Sequence, residues 1–269
     1  MKLTNRKLVT GVGALLLGLT SVHTQAAPFA FWSTDGWTAM NVSPANEDGQ
    51  VGPGGGGQAF DAEYLYFKQS GNTLSIGLQA GFNLITGYVY TSPQPLHYYA
   101  GDLALSFDGS TSTYEYGIDF GLLTKDYQLD KVDMGSGTGI DPAGFYSVSQ
   151  WNTDVYSGHA IANPFAIDGG SLVSNLSLNA AGSGTPAGSP SGFSYWRTVT
   201  FDISSLGLTT DSTLHAHWTM NCGNDFIRGS TTLTGVPVPE PSAFALMMLS
   251  LMGMGWAGSK RLKSRRTTA

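Results

Sequence analysis

The chain has 269 residues, one cysteine, 12% charged residues and a formal net charge of −6. A single cysteine excludes an internal disulfide, and the acidic balance excludes the Lys/Arg–phosphate contacts that drive nucleic-acid binding. The acidity is stronger in the body: all nineteen acidic residues lie between Asp35 and Glu240, against five basic ones (Lys68, Lys125, Lys131, Arg197, Arg228), a net −14.

In chain order, the first element is a secretory signal peptide over residues 1–26. Lys2, Arg6 and Lys7 form a basic start, Leu8 to Val22 is apolar, and Thr24-Gln25-Ala26 places small residues at −3 and −1 of a cut after Ala26. An apolar run of about 15 residues is short for a membrane span. Residues 27–235 then fit one all-β domain.

Within this body, short alternating stretches are separated by Gly, Asn, Asp, Ser and Pro. They are AEYLYF from Ala62, TLSIGLQA from Thr73, DLALSF from Asp102, YEYGIDF from Tyr114, YWRTVTFDI from Tyr195 and TLHAHWTM from Thr213. In the second, Leu74, Ile76 and Leu78 point one way and Ser75, Gly77 and Gln79 the other, which predicts a half-buried strand. Ser70-Gly71-Asn72 supplies a hairpin turn between the first two. Helical periodicity is confined to the two ends, so the pattern predicts a β-sandwich or barrel. Gly182 to Gly192, GSGTPAGSPSG, reads as a flexible loop.

The body's candidate chemistry is calcium binding by the carboxylates Asp61, Glu63, Asp102 and Asp225 at strand edges and loops, with Asn224 beside them. Calcium takes six to eight oxygens, and the turn Asn221 to Asp225 offers side-chain and carbonyl oxygens. The same turn also reads as an Asx turn bonding its own backbone. NEDGQ from Asn46 is a second, weaker loop of this kind. His215 and His217 share one strand face and begin a zinc pattern without an evident third ligand, His97 and His159 lying elsewhere; an exposed polar strand face also explains the pair. Cys222 reads as a nucleophile or as a small buried residue. Gly52, Gly54 and Gly57 formally satisfy G-x-G-x-x-G, but a strand follows where that motif requires a helix. The hydrolase patterns G-x-S-x-G and H-E-x-x-H are missing, so a non-enzymatic role is expected.

The chain ends on Pro239-Glu240-Pro241, an uncharged stretch from Ser242 to Gly258, and the basic cluster Lys260, Arg261, Lys263, Arg265 and Arg266. As a helix the stretch covers about 25 Å, enough to span a slightly thinned bilayer, and the cluster holds the C-terminus in the cytoplasm. Triplet, span and basic finish together resemble the PEP-CTERM sorting signal, here residues 236–266. That resemblance implies an exported Gram-negative protein, anchored transiently in the inner membrane, cleaved near the triplet by an exosortase and delivered to the cell surface or extracellular matrix. Its implied partners are the exosortase, the secretion machinery and extracellular polysaccharide.

FDAEYLYF from Phe60, GDLALSF from Gly101 and HWTMNCGND from His217 resemble an ectodomain type of such proteins. The first two also resemble sugar-binding jelly-roll sandwiches of the CBM9 and DOMON type. The alternative function is thus a calcium-supported, glycan-holding sandwich, with Tyr64, Tyr66, Tyr114, Tyr116, Trp196 and Trp218 either facing sugar or forming core.

Overall fold

The computed structural model describes residues 27–43, 51–91, 96–127, 139–188, 192–208, 210–236, 247 and 251–252. The signal peptide, the Asn46 loop, the Pro239-Glu240-Pro241 triplet, most of the apolar span and the basic finish lie outside the described residues. No described helix is long and apolar enough to cross a membrane.

A five-residue helix, α1 (Ala30–Thr34), leads into β1 (Thr38–Ala39), β2 (Asn41–Ser43), β3 (Ala62–Ser70) and β4 (Thr73–Ala80). A small hairpin follows, β5 (Tyr88–Thr91) and β6 (Leu96–Tyr99). Then come β7 (Leu103–Ser106), β8 (Tyr116–Asp119), β9 (Gly144–Asn152), β10 (Ala166–Ser174) and β11 (Leu178–Gly184). The last are β12 (Ser194–Asp202), β13 (Ser212–Thr219) and β14 (Phe226–Leu233). All six stretches of sequence alternation fall on strands. The β3–β4 hairpin turns at Gly71, whose φ of 56° suits glycine.

Twelve of these strands make two antiparallel sheets, β5 and β6 pairing only with each other. The first has order β1-β3-β4-β12-β11, and the second β10-β9-β8-β7-β13-β14-β2. Their facing sides close one core. Leu65, Leu74, Ile76, Leu78, Val199 and Phe201 of the first sheet pack on Leu103, Leu105, Ile118, Phe145, Leu214 and Trp218 of the second. Phe145 meets Phe201 with ring centroids 4.6 Å apart. The fold is an all-β sandwich, held by apolar burial between layers as the alternating pattern requires.

Strand β4 differs from its half-buried expectation, because Gly77 and Gln79 on its second face are buried too. The chain following residue 26 folds back over that face. Trp32 stacks on Tyr66 at 4.4 Å and 12°, and a Cβ at Gly77 would come within 2.5 Å of its ring. Trp32 Nε1 donates to Gln79 Oε1 at 2.8 Å, and Gln79 Nε2 donates to the carbonyl of Ala27 at 3.0 Å. A second difference lies in the predicted flexible loop: its first residues, Gly182 to Gly184, are strand, paired to Trp196, Tyr195 and Ser194.

Candidate functional site

The predicted calcium residues hold the fold together at several places. Asp225 accepts the buried Ala62 N–H on Oδ2 at 2.7 Å and the Gly52 N–H on Oδ1 at 3.2 Å. Beside it, Asn224 Nδ2 donates to the Gly55 carbonyl at 2.6 Å, and its own carbonyl accepts the Gly54 N–H at 2.8 Å. The glycine-rich stretch is thus fastened to the turn before β14, and one turn of 3-10 helix, Gly57–Phe60, leads from it into β3. Asp61 is buried at that junction, its carbonyl accepting the Gly81 N–H at 2.8 Å. Glu63 accepts from Gln58 Nε2, Gln79 Nε2 and Ser194 Oγ at 2.6, 2.7 and 2.8 Å.

Asp102 accepts the Ile167 N–H at 2.8 Å. Burial, then the neighbouring Asp119, push its carboxyl well above the usual range. Burial, with Asp141 adding, pushes Asp119 up to about 7 against the pull of the Gly121 N–H on its Oδ1. Among the described residues, no group of three or more His, Cys, Asp or Glu side chains is placed to hold a metal ion.

The two histidines of β13 do not form an exposed polar face. His215 is half-buried, but His217 is fully buried under the Ser157–Ala162 turn of 3-10 helix. Its Nε2 lies 2.8 Å from the Ala162 carbonyl and 3.0 Å from that of Pro164, which fixes Nε2 as the donor. Burial, then Arg228, lower its pKa to about 3, so the ring is neutral. Tyr114 stacks on it at 5.7 Å and 26°. Cys222 is 1% exposed and burial pushes its thiol up to about 12, which leaves it without thiolate at neutral pH.

Of the six aromatics named as sugar or core residues, Trp218, Tyr66 and Tyr114 are buried. Tyr116 packs against the core, and Trp196 lies under Phe31 with ring centroids 5.2 Å apart. Tyr64 is half-buried and tilts against Tyr66, centroids 6.1 Å apart. Outward-facing aromatics occur elsewhere. Tyr90 on the β5–β6 hairpin is 55% exposed and borders a 290 Å³ cavity with Tyr88, Tyr195, Asn83 and Thr86. The polar groups there are partly engaged, Asn83 Oδ1 accepting the N–H groups of Ile85 and Thr86 at 3.1 and 3.0 Å.

Two further cavities adjoin on the outer face of the larger sheet and share Tyr114. One, of 420 Å³, is walled by Trp151, Tyr114, Val148, Asn163 and four Ser/Thr residues; the other, of 360 Å³, by His215, Arg228, Asn41, Ser43 and Thr111. Alternation alone does not place Trp151 on the outer face, because it shares the parity of the core residue Phe145. In the sheet, Gly169 faces Gln150 and Gly170 faces Val148, so Ser149 is an extra, bulged residue. That bulge reverses the alternation and turns Trp151 outward.

Comparison with curated proteins and with solved structures finds no match. Comparison with protein families matches residues 237–261 to the PEP-CTERM protein-sorting motif. The chain therefore carries this sorting motif directly after its sandwich, and with it the marks of an exported protein whose C-terminus is membrane-anchored until an exosortase processes it.

Proposed function

We propose that the protein is a non-catalytic component of the cell surface or extracellular matrix of a Gram-negative bacterium, released there by exosortase cleavage and associated with exopolysaccharide. The observation that carries this reading is where the sandwich closes. Strand β14 ends at Leu233, the Val236 N–H donates to the Leu208 carbonyl at 2.8 Å, and the motif starts at residue 237. A cut at the triplet removes the anchor and leaves every described strand in place. The inert Cys222 thiol and the neutral, fully bonded His217 Nε2 support a binding rather than a catalytic role. The test deletes Val236 to Ala269 and follows the protein by fractionation. The expected outcome is loss of surface or matrix delivery with the ectodomain folded; unchanged delivery overturns the reading.

Glycan binding is the ectodomain activity we propose within that role, supported by outward aromatic side chains beside polar cavities. Retention of the cleaved ectodomain by matrix polysaccharide, and its release on enzymatic digestion of that polysaccharide, is the expected result. Retention unaffected by digestion counts against it.

A further inference from the structure

We infer that the paired cavities around Tyr114 form a binding groove for a neutral, hexose-based polysaccharide, with Trp151 as its stacking platform. This deepens the glycan-binding reading and rests on it. The first cavity has no charged residue in its wall. Ser112, Thr113, Ser149 and Thr153 offer hydroxyls, and Asn163 has its amide oxygen buried without a hydrogen-bond donor. Hydroxyls that both donate and accept match the hydroxyls of a sugar.

Trp151 is held rigidly for stacking. Its Nε1 donates to the Tyr114 carbonyl at 2.7 Å. Its ring edge lies over Gly117, where a Cβ would approach it to 2.7 Å, so only a glycine on β8 lets the ring settle on the sheet. The Ser149 bulge turns it outward, and the half-buried ring presents its remaining surface to the cavity. A locked ring loses little entropy when a sugar face covers it.

The second cavity extends the groove past Tyr114. Arg228 enters it with its guanidinium over the Phe226 ring at 4.5 Å and Nη2 on the Ile161 carbonyl at 2.7 Å. A planar donor fork beside His215, Ser43 and Asn41 suits the hydroxyls of a second sugar unit. A body of net charge −14 repels a polyanion, and Ser106, the residue opposite His215, has its Oγ 2.8 Å from Asp108 Oδ1 and 3.2 Å from Glu115 Oε1, two carboxylates of the connection between β7 and β8. Neutral chains are thus the class that fits.

The experiment uses the full chain in detergent, titrated calorimetrically with neutral gluco-, manno- and galacto-hexasaccharides and with a hexagalacturonate. At least one neutral oligosaccharide binds, and the galacturonate binds more weakly. Trp151→Ala lowers that affinity at least tenfold. Ser112→Arg, at an exposed position on the cavity wall, abolishes binding without changing Tm, which separates loss of the site from loss of the fold. Tyr90→Ala leaves binding unchanged. No binding by any neutral hexasaccharide, equal or tighter binding of hexagalacturonate, or binding indifferent to both groove variants overturns the inference. If Tyr90→Ala alone weakens binding, glycan recognition stands but belongs to the β5–β6 hairpin.

Discussion

Asp225 commits both carboxylate oxygens to backbone N–H groups from a segment more than a hundred and sixty residues away in sequence. Removing that acceptor strands the buried Ala62 N–H, so Asp225→Ala is expected to cost about 2–3 kcal/mol. Thermal unfolding with calcium and then with chelator checks the cause: the loss is expected to be the same in both, and wild-type Tm unchanged by chelator. A wild-type Tm that falls on chelation would return Asp225 to the role of metal ligand. Two buried groups set opposite pH responses. Asp119 has a folded pKa of about 7, above its unfolded value, so its protonated form contributes stability that is full below about 4 and lost as pH rises to about 7. His217 has a folded pKa of about 3, below its unfolded value, so its contribution is full above about 6.5 and lost as pH falls. Asp119→Asn is therefore expected to raise Tm at pH 8 by a few degrees and hardly at pH 4, and His217→Gln to flatten the acid limb; melts across pH that move in parallel with wild type would refute both.

At the scale of elements, β4 was legible as a strand because Leu74, Ile76 and Leu78 alternate cleanly, but its second cover was not. Phe29 to Trp37 carry no strand or helix period long enough to read, and only tertiary packing holds α1. Gln79 joins the parts, taking Trp32 Nε1 and the Phe29 N–H on one oxygen while donating to Glu63 and Ala27. Gly77→Val is expected to lift this segment, since the new side chain would occupy the space of the Trp32 ring. Limited proteolysis would then cut near Asp35 while the β4–β12 pairing stays protected from hydrogen exchange; a segment that remains resistant would show that the ring finds another seat. The strands hardest to read were β10 and β11, AIDGGSLVS and LNAAGSG. Both lie at sheet edges and owe their form to one neighbour's backbone ladder rather than to alternating side chains. The cavity walls were hidden for a related reason: a bulge such as Ser149 changes which face Trp151 takes, and a bulge is visible only in the pairing.

At the scale of the molecule, the sorting motif was legible because triplet, apolar span and basic finish are a linear code, whereas the proposed groove is assembled from β2, β9, β13, β14 and connecting loops. Charge belongs to the same scale. The body carries five cations against nineteen acids, and three of the described cations meet neutral groups. Arg197 donates to the Leu84 carbonyl and to Asn179, Lys68 sits 4.5 Å from the centre of the Trp37 ring, and Arg228 lies over Phe226. Self-repulsion among the carboxylates is then a net cost to the compact state. Screening relieves it: the Debye length shortens from about 30 Å at ~0.01 M salt to about 8 Å at ~0.15 M. Sodium chloride over that range is expected to raise the Tm of the full chain by a few degrees, about 1 kcal/mol for a molecule of this size. Calorimetric melts in sodium chloride measure this without introducing a divalent ion. A Tm that falls with salt would mean that local attractions outweigh the excess negative charge, and would weaken the electrostatic argument for a neutral ligand; a Tm that rises supports both.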